Sequence, residues 1–507
     1  MNEHSSVQSI GGPRWPVVLF ILLGLNAVVQ VVLRVSISDS LGLDEAEQLF
    51  LSQWLVLGYG PQPPLYNWIQ QGFFALIPSP VLALSLFKHL LFLGLFALMY
   101  KTTRMLVTPA AGAVLAVAML FLMPEFSFEA QRDLTHTVLA AFSGMWFFYA
   151  LIRILLKANG AKDFILFGLA LSSCLLSKYN TLLLVVPMLA VAAGIGELRR
   201  RFWVPRAGLA LLVMAVLCAP HWYWLFQHLG DATANSIDKL DLTEDGSAIG
   251  IRIEGLKNMA GSISGIAGAL LATAAIVFWR SSPRKPALSG PEQMLGKLFR
   301  RYLIVLLCVM LGFVAFGIGD FKGRWLLPSL VFLPAVLCFY LFRCRKVTQR
   351  QLRLFLAISL VVGLAIPVAL GVRVAAARPG NYKRLNEPYR ELVEQFPVTG
   401  DFLLITDRVR VAGNLMHHLP GNVVALSADM DYFPVAPRTH QTVVLAWREK
   451  HAGRNAGPRQ VPGRLLAFAK EQTGLETIEF EGVAMLYAPY KYGTELRALN
   501  LAWFRVN

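Results

Sequence analysis

Long apolar runs recur along this chain, mostly of about 18 to 22 residues, the length that carries a helix across a hydrocarbon core of roughly 30 Å. Eleven stand out, at 15–35, 81–100, 109–124, 137–156, 164–177, 182–196, 207–226, 261–279, 302–319, 325–342 and 354–374, the short pair lying around Lys178. No soluble core accommodates that many. With 56% hydrophobic and 15% charged residues there is also too little polar surface to cover them. The expected fold class is a polytopic α-helical membrane protein of about eleven transmembrane helices.

The net charge of +16 would suit a nucleic-acid partner if the bases were clustered on one domain, but they alternate with the spans. Lys101 and Arg104, then Arg153, Lys157 and Lys162, then Arg199, Arg200, Arg201 and Arg206, then Arg280 to Arg301, then Arg343 to Arg353 occupy every second connection, while 36–80 holds no Lys or Arg. This bias places the amino terminus and the basic loops in the cytoplasm and the other connections outside. No nucleic-acid partner is expected; the surroundings are membrane lipids. Residues 1–14 are polar and lead into the first run without a small-residue cleavage site, which reads as an uncleaved first helix. The five cysteines lie in spans or at a cytoplasmic end, so neither a disulfide framework nor a metal spacing is expected.

Three segments on the external side are long enough for chemistry: 36–80, 227–260 and everything after 374. In the first, Leu43, Leu49, Phe50, Trp54 and Leu57 fall near helical spacing with acids opposite, the pattern of an amphipathic helix lying in the interface. Gly58 to Pro64 break the chain, and a second interfacial helix follows at 65–76. Beyond 378–380 the hydrophobic runs shorten to strand length and alternate with helical stretches. The expected division is a transmembrane catalytic domain, 1–374, and a C-terminal external α/β domain, 375–507.

Asp44-Glu45 is the sharpest chemical feature. Two carboxylates just outside the first span, with no base beside them in sequence, either favour the start of a helix or supply a general base at the membrane surface. The Asp-Glu pair, the following "GYGPQPPLYNW", "SKYNTLLLVVP" and the late "GRWLLPSL" resemble, in order over about 44–328, the polyprenyl-phosphate-dependent C-type (GT-C) glycosyltransferases. The bacterial relatives of protein O-mannosyltransferases and of the lipid A aminoarabinose transferase are the branch most resembled. The resemblance implies an inverting transfer of a sugar from a polyprenyl-phosphate donor to a periplasmic acceptor such as lipid A, lipopolysaccharide core, another glycan or a protein. It also implies a bacterial inner membrane location, with the active site and the tail periplasmic and the protein a monomer.

Carried over by position, Asp44 matches the presumed catalytic base and Glu45 its acidic neighbour. Tyr59, Gln62 and Tyr66 fall on the proline segment that lines the donor site. Many relatives carry His or Lys where Gln62 stands, so another cation is expected to meet the lipid phosphate. Lys178, Lys322 and Arg324 are the candidates, snorkelling to headgroups being the ordinary alternative. In "PEFSFEAQRDLTHT", Arg132 with Asp133 or His136 would bind the acceptor or brace the catalytic loop, unless Arg132 and Asp133 form a plain salt bridge. No cofactor is required by this reading. Asp44, Glu45 and Asp133 could converge on a divalent cation, but no metal-type spacing accompanies them. The rival functions are a lipid-linked-sugar transporter or flippase, which would place polar groups mid-span, and a noncatalytic envelope assembly protein.

Overall fold

The computed structural model describes residues 14–133, 135–156, 160–202, 204–230, 248–284, 288–421, 423–430, 441–448 and 460–506. Lys157, Lys285 and half of the expected external segment 227–260, residues 231–247, lie outside them. The chain forms two compact units. One comprises Met1–Val29, Gly60–Tyr66 and Lys88–Ile366, the other Gln30–Tyr59, Asn67–Phe87 and Pro367–Asn507.

The first unit is helical. Among the described residues seven helices are long and apolar enough to cross a membrane, and three bent pairs bring the number to ten if each pair is one span. The seven are α1 (Arg14–Ile37), α4 (Pro80–Leu106), α7 (Thr135–Leu156), α11 (Ala207–Gln227), α12 (Ile249–Phe278), α13 (Gly290–Ala315) and α16 (Gln349–Ala375), with two short helices, α2 and α3, between the first two. The bent pairs are α5 (Ala110–Leu122) with α6 (Glu125–Arg132), α9 (Tyr179–Ala193) with α10 (Gly196–Phe202), and α14 (Gly323–Leu330) with α15 (Leu333–Cys344). The first breaks by 73° at Pro124, where a proline starts a new helix more readily than it continues one. The remaining expected span, at 164–177, falls on α8 (Ala161–Ser177), a helix of 17 residues. Helices meet through small and aromatic side chains. Ser143 and Ser173 share a hydrogen bond of 2.7 Å, and Phe148 stacks on Phe332 at 4.2 Å.

The second unit is built on a five-stranded sheet of order β2-β1-β3-β5-β4, with β1 Leu403–Thr406, β2 Val424–Ser427, β3 Thr442–Arg448, β4 Gly482–Pro489 and β5 Leu496–Arg505. β1 runs parallel to both neighbours, and β5 lies antiparallel between β3 and β4. Both faces are covered, so the strands read as apolar runs rather than alternating ones. On one face Leu404, Val444 and Leu501 pack with Val411 and Leu415 of α18 (Val409–His418). On the other, Ile405 and Leu445 meet Leu465 and Phe468 of α19 (Gly463–Thr473).

The first-loop helices are α2 (Leu43–Leu51) and α3 (Leu65–Leu76). The spacing that runs on to Leu57 does not extend α2, which stops at Leu51: Ser52 Oγ and Gln53 Nε2 turn back to the carbonyls of Leu49 and Phe50 at 2.7 and 2.8 Å. Nor is α2 simply an interfacial helix. Phe50 and Leu51 enter the same core as α18, and Asn414 of α18 accepts from Leu41 N at 2.7 Å and donates to Leu41 O at 3.2 Å. The apolar face of α2 is thus satisfied by protein.

Candidate active site

Candidate residues fall in both units, and each unit builds its share from different elements. In the second unit, the Asp-Glu pair forms the first turn of α2, where carboxylates favour the positive end of the helix dipole. Glu45 is buried and accepts from Gly42 N at 2.7 Å, closing the helix start. Arg34, in the last turn of α1, grips the same carboxylate from Nε at 2.8 Å and from Nη2 at 2.6 Å. It also donates to the carbonyls of Ser38 and Ser40 at 2.7 and 2.9 Å. One guanidinium therefore ties the end of the first span, the turn and the start of α2 together. Glu45 thus has a cation, supplied by the preceding helix. Asp44 is the partly exposed member of the pair.

The turn ahead of Asp44 is fastened further. Ser38 Oγ donates to Leu385 O at 2.7 Å and Ser40 Oγ to Glu387 O at 2.6 Å. Asp39 pairs with Arg390 at 2.8 Å and Lys491 at 3.1 Å. Burial pushes the Asp39 carboxyl up, but those two cations more than offset it and hold it below the usual range. Tyr59, expected on the donor wall, is 1% exposed within the core of this unit. Its hydroxyl donates to Trp54 O at 2.7 Å, and burial pushes its phenol up to about 12. That bond pins the loop between α2 and α3.

In the first unit the segment 131–137 is a meeting point. Lys88 of α4, 5% exposed, donates to the carbonyls of Gln131 and Asp133, both at 3.2 Å. Lys178, in extended conformation where α8 ends, donates to Thr137 Oγ1 at 2.9 Å. Buried Tyr66 and His136 set their rings 4.9 Å apart. Arg132 pairs with Glu129 at 2.6 Å on the surface, not with Asp133. Asp133 is partly exposed at the turn. Gln62 places a buried Oε1 that has no hydrogen-bond partner among the described residues, an acceptor that a donor group would satisfy.

The candidate cations then separate. Lys322 pairs with Asp320 at 2.7 Å and lies 5.8 Å from the Trp325 ring, so its charge is already met. Arg324 forms no ion pair or side-chain hydrogen bond among the described residues. Asn180, two residues past Lys178, donates to the carbonyls of Trp325 and Arg324 at 2.7 and 3.4 Å, fastening the Lys178 turn to the start of α14. The Glu125 carboxylate fills the space beside Gly323, where a Cβ would come within 2.8 Å of Oε2. Lys178 and Arg324, far apart in sequence, therefore belong to adjoining segments. His221 bonds the Tyr179 hydroxyl at 3.2 Å and stacks on Trp224, an aromatic-belt position. Among the described residues no cluster of three metal-ligating side chains occurs.

Sequence reading alone passes over Arg34, Lys88 and Asn180. Lys88 had a signal, since with His89 it interrupts an otherwise apolar span, and an intramembrane ionisable group is a candidate functional residue by default.

Comparison with known proteins bears on this arrangement. Residues 61–224 match the family model described as dolichyl-phosphate-mannose-protein mannosyltransferase. Over 484 residues the chain is 36% identical to the lipopolysaccharide core galacturonosyltransferase RgtB of Rhizobium johnstonii, covering 94% of each chain. It is 31% identical to RgtA of the same organism, over 96% of this chain and 97% of that one. Among solved structures, ArnT from Cupriavidus metallidurans bound to undecaprenyl phosphate superposes with a TM-score of 0.59 at 13% identity, over 97% of this chain and 98% of that one. The apo form gives 0.53 at 15% identity, over 96% and 97%. These likenesses concern the fold.

Proposed function

The chain belongs to the C-type superfamily of membrane glycosyltransferases and is itself a glycosyltransferase, and on that premise we propose that it transfers a galacturonosyl residue from a polyprenyl phosphate to the lipopolysaccharide core. The observation that carries this reading is the identity of 36% to a lipopolysaccharide core galacturonosyltransferase over 94% of both chains. Matches to two such enzymes over 94% and 96% of the chain favour this reading over a transporter or an assembly protein.

In the proposed step, Asp44 takes the proton from an acceptor hydroxyl as its oxygen attacks the anomeric carbon. The bond from that carbon to the phosphate oxygen breaks, the electron pair leaves with the lipid phosphate, and the anomeric configuration inverts. Arg324 and Lys178 meet the charge that develops on the phosphate. Gln62 accepts from a sugar hydroxyl, consistent with its unpartnered buried oxygen. Glu45 and Arg34 fix the Asp44 turn. Reaction and tail lie on the periplasmic face of the inner membrane, following the charge bias of the loops.

Mass spectrometry of lipopolysaccharide from cells with and without the protein tests the proposal. The core is expected to lose the mass of one hexuronic acid residue when the protein is absent. An unchanged core, with the mass change in another glycan or in a protein, would move the acceptor assignment there.

A further inference from the structure

We propose that the chain holds one anionic diacyl phospholipid in a cleft between α8, α9 and α11, a site separate from the reaction groups above. The cleft has a volume of about 540 Å³, and every residue that lines it is apolar, among them Phe164, Leu171, Leu189, Phe202, Ala207 and Leu211. Its size is within the range of about 300 to 1,000 Å³ found for ligand sites.

The helices create it for identifiable reasons. At Gly168 a Cβ would lie 2.7 Å from Ala210 O, so α8 and α11 touch backbone to backbone there. Ala192 and Ala193 of α9 are too small to fill the neighbouring space. The chain then bends by 109° between α9 and α10 and brings Phe202 to the cleft.

The rim is cationic on three elements. Arg199 stands one turn before Phe202 on the same face of α10, Arg206 immediately precedes Ala207 at the start of α11, and Lys162 lies in the first turn of α8. Arg199, Arg200 and Arg201 are exposed and form no ion pair among the described residues. Of the nearby acids, Asp163 is taken by Arg153 at 2.6 Å, which leaves Glu197 as the exposed one. An apolar slot ending in a cluster of arginines complements an acyl chain joined to a phosphate headgroup. Neither zwitterionic headgroups nor apolar protein surfaces match that charge.

Native mass spectrometry of the full chain, extracted from nanodiscs of phosphatidylcholine with phosphatidylglycerol, tests the site. Wild-type protein is expected to retain one phosphatidylglycerol in preference to phosphatidylcholine, and glycerol phosphate without acyl chains is not expected to displace it. Combined Arg199→Gln, Arg200→Gln and Arg201→Gln should abolish retention. The matching Arg→Lys combination, which keeps the charge, should preserve it. Ala193→Trp should abolish retention from the apolar side while transferase activity stays within about twofold. Equal retention of both lipids, retention unaffected by the Gln and Trp variants, preference for undecaprenyl phosphate, or a second protein chain in place of lipid would each overturn the proposal.

Discussion

Glu45 accepts from Nε and Nη2 of Arg34 with only 9% of its side chain accessible, while its neighbour Asp44 stays partly exposed on the same helical turn. The pair is legible in the sequence as a chemical feature. That Glu45 is the member gripped by Arg34 is not, because it depends on Arg34 reaching across a turn whose path is set by contacts with 385–387. Breaking the buried pair leaves Arg34 with an uncompensated charge, so Glu45→Gln should cost about 3 kcal/mol or more, read as a lowered midpoint in detergent-phase thermal denaturation. Replacing Arg34 and Glu45 together by Met and Leu should recover part of that loss; full additivity of the single losses would refute the coupling. Among the cations, Arg324→Gln should lower kcat by about 10²-fold, the scale of a lost group that stabilises charge in the transition state. Lys322→Ala should change it by less than about threefold, as for an exposed ion pair. Equal effects of the two would contradict the separation drawn from their partners.

At the scale of elements, local pattern locates β1, β2, β3, α18, α19 and the helix at 65–76. It fails where contacts from afar decide. α2 ends at Leu51 because side chains of Ser52 and Gln53 cap its carbonyls, although Trp54 and Leu57 continue the spacing. β5, buried on both faces between β3 and β4, lacks the alternation that would announce it. The end of β1 carries a pH-sensitive group: Asp407 has a buried Oδ1 without a hydrogen-bond partner among the described residues, and burial, with Asp429 nearby, pushes its carboxyl up to about 6 despite Arg408. A carboxyl raised from 3.8 to about 6 binds its proton more tightly in the folded state. Its contribution is therefore greatest below about pH 4 and is lost as pH rises to about 6. Asp407→Asn should raise the thermal midpoint relative to wild type at pH 7 and show a smaller gain at pH 4, measured by paired melts. A gain independent of pH would refute the assignment.

At the scale of the whole molecule, the membrane class and the superfamily follow from the apolar runs and from motifs in a fixed order. The length of each run does not reveal which helices bend. Pro124 and the Gly194 turn break helices that hydropathy alone counts as spans, so among the described residues seven straight candidates stand beside three bent pairs and the 17-residue α8. Nor does a linear pattern show that 30–59 and 67–87 share a compact unit with the tail, since that depends on contacts more than three hundred residues apart in sequence, such as those of Leu41 with Asn414. The central claim, galacturonosyl transfer with Asp44 as base, is tested most directly by reconstituting the purified chain with polyprenyl-phosphate galacturonic acid and lipopolysaccharide core, and following product by mass. Wild-type protein should add a hexuronic acid residue, and Asp44→Asn, with an unchanged melting midpoint, should do so slower by about 10²-fold or more. Undiminished transfer by the folded Asp44→Asn protein would contradict the account.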